Sequence, residues 1–136
     1  MNRYLFLVAS ARDVASDSNT ERLARIAATH LPADSAQTWL HLCGMRLEAF
    51  TDRRHGNGTY AYPTGDLARL LEATLACTNL VLVAPVYWYS FPAALKTCLD
   101  HWTGWLRVPD LNFRQAMSAK TLHLVTTAAD KAKAQP

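Results

Sequence analysis

The sequence predicts an α/β domain in which a parallel β-sheet carries helices on both faces. Two apolar runs, Tyr4–Ala9 and Leu80–Ala84, lack the alternation of a half-exposed strand, as expected where helices cover both faces. Helical patterns separate the strand patterns to give β-α-β-α-β-α-β, and parallel neighbours need such right-handed crossovers. The stretch 80–96 condenses the whole pattern. It reads as a buried strand, a turn holding Tyr87, Trp88, Tyr89 and Ser90, and a helix opening at Pro92, where a missing N–H costs nothing.

The 136 residues make one domain, 1–136, able to bury about two-thirds of its unfolded surface. With 50% hydrophobic and 18% charged residues the chain is globular rather than disordered. A net charge of +3 with scattered arginines gives no stripe for nucleic acid, though it suits an anionic small ligand. Cys43, Cys77 and Cys98 lie far apart in apolar elements, which reads as buried reduced thiols and a cytoplasmic protein. No segment approaches the ~18 apolar residues of a membrane span. Arg3, Tyr4–Ala9 and Ala9-Ser10-Ala11 imitate a signal peptide, but the apolar run falls short of the usual ~7–15 residues. It reads as the first strand.

After that strand, residues 10–20 form a loop dense in hydroxyls and capping residues. The helix beyond it places Leu23, Ile26, Ala27, His30 and Leu31 on one stripe and ends at Pro32, and Ser18 with Glu21 has the form of a capping box. Strand, hydroxyl-rich loop and helix N-terminus come in the order that builds an anion site, and the same hydroxyls could equally serve only as caps. Thr38–Cys43 alternates, as a strand near an edge does. Residues 44–65 lack periodicity; Tyr60 and Tyr62 there either cover a ligand or pin the loop to the surface. Leu67, Leu70, Leu71, Thr74 and Leu75 mark the next helix, and Leu95, Cys98, Leu99 and Trp102 the face of the third. Residues 104–118 read as irregular, and 120–127 as the fourth strand.

In the doubly wound order 2-1-3-4, the loops after the first and third strands meet at the switch point, where ligands bind. An anion loop then lies beside an aromatic turn, as a phosphorylated planar ligand requires. The aromatics could also merely cap the core.

With both loops in view, the chain resembles the NAD(P)H-dependent FMN reductase and quinone reductase group of flavodoxin-like proteins. The matching residues are Ser10-Ala11-Arg12 with Ser18-Asn19-Thr20-Glu21, and the more specific run Ala84 to Lys96 continuing to Leu99-Asp100. The resemblance implies a three-layer flavodoxin-like fold and FMN, with phosphate held by Ser10, Arg12, Ser18, Asn19 and Thr20. Pro85, Val86, Tyr87, Trp88, Tyr89 and Ser90 would line the isoalloxazine ring. Backbone groups from Thr127 to Ala129 are candidates to stabilise negative charge near flavin N1, an effect that Asp130 would oppose if it pointed inward. The sequence departs from the group in two ways. The fifth strand and last helices of the family are absent, and the loop 126–130 lacks the usual glycine. The first departure implies a bare strand edge, bare apolar side chains on the first and third strands, and a homodimer or higher oligomer that covers them.

The implied activity is hydride transfer from NAD(P)H through the flavin to a quinone, azo or flavin acceptor, with nicotinamide and flavin stacked about 3–3.5 Å apart. It needs no acid–base side chain, so none is assigned as catalytic. Two alternatives are a flavodoxin-type electron carrier and a non-catalytic remnant that holds no FMN. The carrier is disfavoured because its usual phosphate loop and acidic surface are missing. Ser10 and Pro85 stand where a phospho-receiver domain would need acidic residues. His30, His41, His55, His101 and His123 lack metal-ligand spacing, so no metal site is expected.

Overall fold

A computed structural model describes residues 1–11 and 18–129. The elements are β1 (Arg3–Val8), α1 (Asn19–Ala28), β2 (Ala36–His41), α2 (Gly65–Ala76), β3 (Asn79–Val83), α3 (Ala93–Trp105), α4 (Phe113–Ser118) and β4 (Thr121–Val125). The strands pair in parallel in the order β2-β1-β3-β4, as the sequence predicts for a three-layer flavodoxin-like fold. No helix among the described residues is long and apolar enough to cross a membrane.

β1 and β3 are apolar throughout because each contributes to two cores. Leu5, Leu7, Leu80 and Leu82 pack with Leu70, Leu71, Leu95, Cys98, Trp105 and Phe113 beneath α2, α3 and α4. Phe6, Val8, Val81 and Val83 pack with Ala24 and Ala28 of α1. β2 closes one edge, and its alternation sorts its side chains. Leu40 goes to the first core, while Trp39 stacks on Phe6 at 3.9 Å between centroids and 3° between planes. Arg25 of α1 covers the other face of Trp39, 3.6 Å from its centroid.

Four expectations are corrected. The buried face of α1 is Thr20, Glu21, Ala24 and Ala28, whereas Leu23 and Ile26 of the predicted stripe are exposed. Two alanines let the helix lie close on the sheet, and close approach outweighs the larger side chains. The region 104–118 contains α4, whose six residues bury Phe113 and half-bury Met117 one turn on, too short a pattern to read as periodic. Cys77 and Cys98 are buried free thiols, but Cys43 is exposed, because a 3-10 turn at Leu42–Gly44 ends β2 before it. The bare apolar side chains belong to the fourth strand, not the first and third. Phe6 and Val81 are buried, while Leu122 and Leu124 of β4 are 61% and 51% exposed.

Candidate functional site

The loops after β1, β3 and β4 meet at the carboxyl edge of the sheet. Parallel pairing runs past the strands themselves. The Ala9 N–H donates to Val83 O at 2.8 Å, Ala84 N–H to Val125 O at 3.0 Å and Val86 N–H to Thr127 O at 2.8 Å. Ser10 follows as a buried residue, and the Ala11 N–H donates to the Tyr87 hydroxyl at 3.4 Å. That bond joins the hydroxyl-rich loop directly to the aromatic turn.

α1 opens at the same edge. Ser18 is its N-cap, accepting from the Glu21 N–H at 3.2 Å. Thr20 is buried, and its Oγ1 lies 2.6 Å from Thr127 Oγ1, so the helix start is tied to the loop after β4. Asn19 is exposed and accepts from Arg22 at 2.7 Å. The first-turn N–H groups of Asn19 and Thr20 have no intrahelical acceptor, as at any helix start, and donors of this kind suit an anion. Ser10, Ser18, Asn19, Thr20, Tyr87 and Thr127 thus gather at one edge. Arg12 and Asp130 lie outside the described residues.

Only half of the capping box forms. The Glu21 carboxylate turns away from the cap; its Oε2 accepts from Arg25 at 3.2–3.3 Å and its Oε1 lies 2.7 Å from His41 Nε2. His41 ends β2 opposite Val8, so parallel register delivers it to the first turn of α1. No local spacing signals this pair, since 20 residues separate its members. The Arg25 guanidinium at the Glu21 carboxylate offsets part of the repulsion that this carboxylate would exert on an anion at the helix start.

The turn after β3 is a two-residue hairpin. Tyr87 and Ser90 exchange N–H···O bonds of 2.9 and 3.0 Å, and the residues between them have positive φ, Trp88 at 50° and Tyr89 at 63°. Positive φ at both central positions is the mark of a type I′ turn, which normally takes Asn or Gly. Bulky residues there are strained. Trp88 and Tyr89 are 94% and 98% exposed, so their rings stand in solvent, while Pro85 is half-buried and Val86 and Ser90 are exposed.

The long loop lies elsewhere. A wide groove of about 960 Å³ is lined by Arg46, Arg53, Tyr60, Tyr62, Gly65 and Asp66. Tyr60 donates to Asp52 at 3.4 Å, accepts from the Arg53 N–H at 2.6 Å and stacks on Phe50 against Gly104 of α3. It pins the loop. The Arg54 guanidinium beside Asp52 holds that exposed carboxyl well below the usual carboxylate range.

A parallel sheet whose switch point joins a hydroxyl-rich helix start to an aromatic turn defines the flavodoxin-like class. The chain belongs to the NADPH-dependent FMN reductase family, whose profile matches residues 2–135. It is 29% identical over 119 residues to YwqN of Bacillus subtilis (strain 168), provisionally named an NAD(P)H-dependent FMN-containing oxidoreductase, covering 87% of this chain and 64% of that one. Among solved structures, the Trp repressor binding protein from Bacillus subtilis matches 97% of this chain and 70% of its own, at 24% identity and a TM-score of 0.64. The apo form of an NADH:FMN oxidoreductase, EMOB, matches 98% of this chain and 62% of its own, at 20% identity and a TM-score of 0.65. These two structures show the shared fold. The chain spans less than two-thirds of the length of the curated relative.

Proposed function

We propose that this chain binds FMN at the carboxyl edge of its sheet and serves as an FMN-dependent NAD(P)H oxidoreductase, passing hydride to a quinone, azo or flavin acceptor. The observation that supports this most is the pair of ties Ala11–Tyr87 and Thr20–Thr127, which hold helix start, aromatic turn and third loop within one ligand's reach. The residues present fit the cofactor. The first-turn N–H groups, which no intrahelical carbonyl accepts, and buried Ser10 suit a dianionic phosphate, and the Tyr87–Ser90 turn supplies aromatic side chains for a planar ring. When bound, FMN would supply the hydride-accepting and hydride-donating centre.

The residues of this chain would do the positioning. Ser10, Ser18 and the N–H groups of Asn19 and Thr20 orient the phosphate, and the family resemblance adds Arg12 as a further contact. Pro85 to Ser90 set the ring plane. The backbone groups of Thr127 to Ala129 stabilise negative charge at the flavin's polar edge. Both the curated relative and the EMOB structure carry FMN in their names, which supports the same reading. The acceptor is a small molecule, the location cytoplasmic, and the assembly a homodimer or higher oligomer. NAD(P)H oxidation assayed with a quinone on protein loaded with FMN tests the activity. A protein that holds FMN but never oxidises NADH or NADPH would be an electron carrier instead.

A further inference from the structure

The loop between β2 and α2 is held in place by part of its side chains and leaves others unused. Tyr60 is engaged by Asp52, the Arg53 N–H and the Phe50 ring, and Phe50 meets His101, whose Nε2 lies 2.6 Å from Glu48 O. Tyr62 takes no part in that network. It is 46% exposed and lines the groove of about 960 Å³. Four charged side chains line the same groove, those of Arg46, Glu48, Arg53 and Asp66. Asp66 is already engaged, accepting from the Arg46 N–H at 2.7 Å with Arg69 at 4.0 Å. The ion pairs among the described residues include neither the Arg46 nor the Arg53 guanidinium, nor the Glu48 carboxylate. Two uncommitted guanidiniums thus face one uncommitted carboxylate.

The groove starts close to the flavin-site edge. Register sets His41, the end of β2, beside Val8, and Cys43 Sγ lies 4.0 Å from Ala9 O, one residue before Ser10. Arg46 follows three residues after Cys43, so its Cα is at most about 11 Å from that of Cys43. Its N–H on Asp66 ties it to the first turn of α2. The volume falls within the roughly 300–1,000 Å³ of small-molecule sites, and a loop already pinned by Tyr60 and His101 loses little freedom when a ligand enters.

A nicotinamide at the flavin leaves the other end of its dinucleotide to rest on the protein surface. That end is an adenine ring on a ribose, carrying a 2′-phosphate in NADPH and a hydroxyl in NADH. An uncommitted tyrosine suits the ring, and guanidiniums bind phosphate through paired N–H groups. We infer that this groove receives the adenosine end of NADPH, with adenine on Tyr62 and the 2′-phosphate on Arg46 and Arg53, so that the chain takes NADPH in preference to NADH. This rests on the oxidoreductase reading above and names its hydride donor. Glu48 is the one opposing charge, and it sets a limit on the affinity.

Titration calorimetry with 2′,5′-ADP and 5′-AMP reads the groove without flavin or turnover. The first is expected to bind at least about tenfold more tightly than the second. Arg46→Ala with Arg53→Ala should weaken 2′,5′-ADP about tenfold per arginine and leave 5′-AMP nearly unchanged. Tyr62→Ala should weaken both nucleotides about 3- to 10-fold, and Glu48→Gln should tighten 2′,5′-ADP alone. Arg107→Ala with Arg114→Ala removes the same charge outside the groove and should change neither. Far-UV circular dichroism confirms that each variant is folded. In FMN-loaded protein the Arg46 and Arg53 change should raise KM for NADPH while KM for NADH and kcat stay nearly constant. Equal affinity for the two nucleotides overturns the inference, as does an equal loss in the Arg107 and Arg114 variant. Tight, arginine-dependent binding of 2′,5′-ADP by protein that retains no FMN upholds the nucleotide site and overturns the oxidoreductase reading alone.

Discussion

Replacing Tyr89 by glycine should make the ligand-free protein more stable while weakening its hold on FMN. Tyr89 sits at φ 63°, where a side chain costs roughly 1–2 kcal/mol. Its ring is 98% exposed, so deleting it removes almost no buried surface. Glycine relieves the strain but adds about 0.5–1 kcal/mol of conformational entropy to be lost on folding. The balance is a gain of about 0.5–1 kcal/mol, or about 2–4 °C in Tm for a chain of this size. Urea unfolding should show a higher midpoint at unchanged slope. FMN affinity, followed by flavin fluorescence quenching, should fall about 3- to 10-fold if the ring stacks on the isoalloxazine. Tyr89→Ala, which removes the ring but keeps a Cβ at positive φ, should lose affinity without gaining stability. A loss of more than about 1 kcal/mol in Tyr89→Gly would mean that the ring packs on the protein, and the argument from strain would fail.

Thr127→Val leaves the buried Thr20 hydroxyl without its 2.6 Å partner and should cost about 1 kcal/mol in urea unfolding, with weaker FMN retention. Glu21→Ala removes the carboxylate held by Arg25 and His41; urea unfolding should report a loss of about 1–2 kcal/mol. Among the thiols, Cys43 is exposed and should react with a disulfide reagent first at about pH 8, whereas Cys77 and Cys98 should react only as the chain unfolds. Burial pushes Cys98 from 9.0 up to about 12. Its unfolded thiol therefore ionises first, so the Cys98 contribution to stability is constant well below pH 9.0 and falls as pH rises toward about 12. Urea midpoints at pH 8 and about 10.5 should separate more in wild-type protein than in Cys98→Ala.

The sheet was legible because β1 and β3 are apolar on both faces, a pattern that only a covered parallel strand sustains. The strand order, and with it the meeting of the two loops, came from the fold assumed for that pattern and is not visible in the residues themselves. What escaped the sequence depended on distance or on size. Glu21 and His41 are brought together by register between β1 and β2, which no local spacing encodes. α1 buries alanines in preference to Leu23 and Ile26, because backbone approach and the tie from Thr20 to Thr127 decide its rotation. α4 has two apolar anchors, too few to reveal a period. The positive φ of Trp88 and Tyr89 was hidden because neither residue type favours that conformation. The residue letters pointed to an aromatic turn, and only the backbone showed it to be a strained hairpin.

The central claim is that helix start, aromatic turn and third loop together hold one flavin. Its most direct measurement is the visible spectrum of purified protein after incubation with FMN and desalting. Flavin absorbance that stays with the protein at about one FMN per chain, and drops in a Ser10→Ala and Thr20→Val double variant, is the predicted result. Colourless protein from the folded wild-type chain would contradict the account.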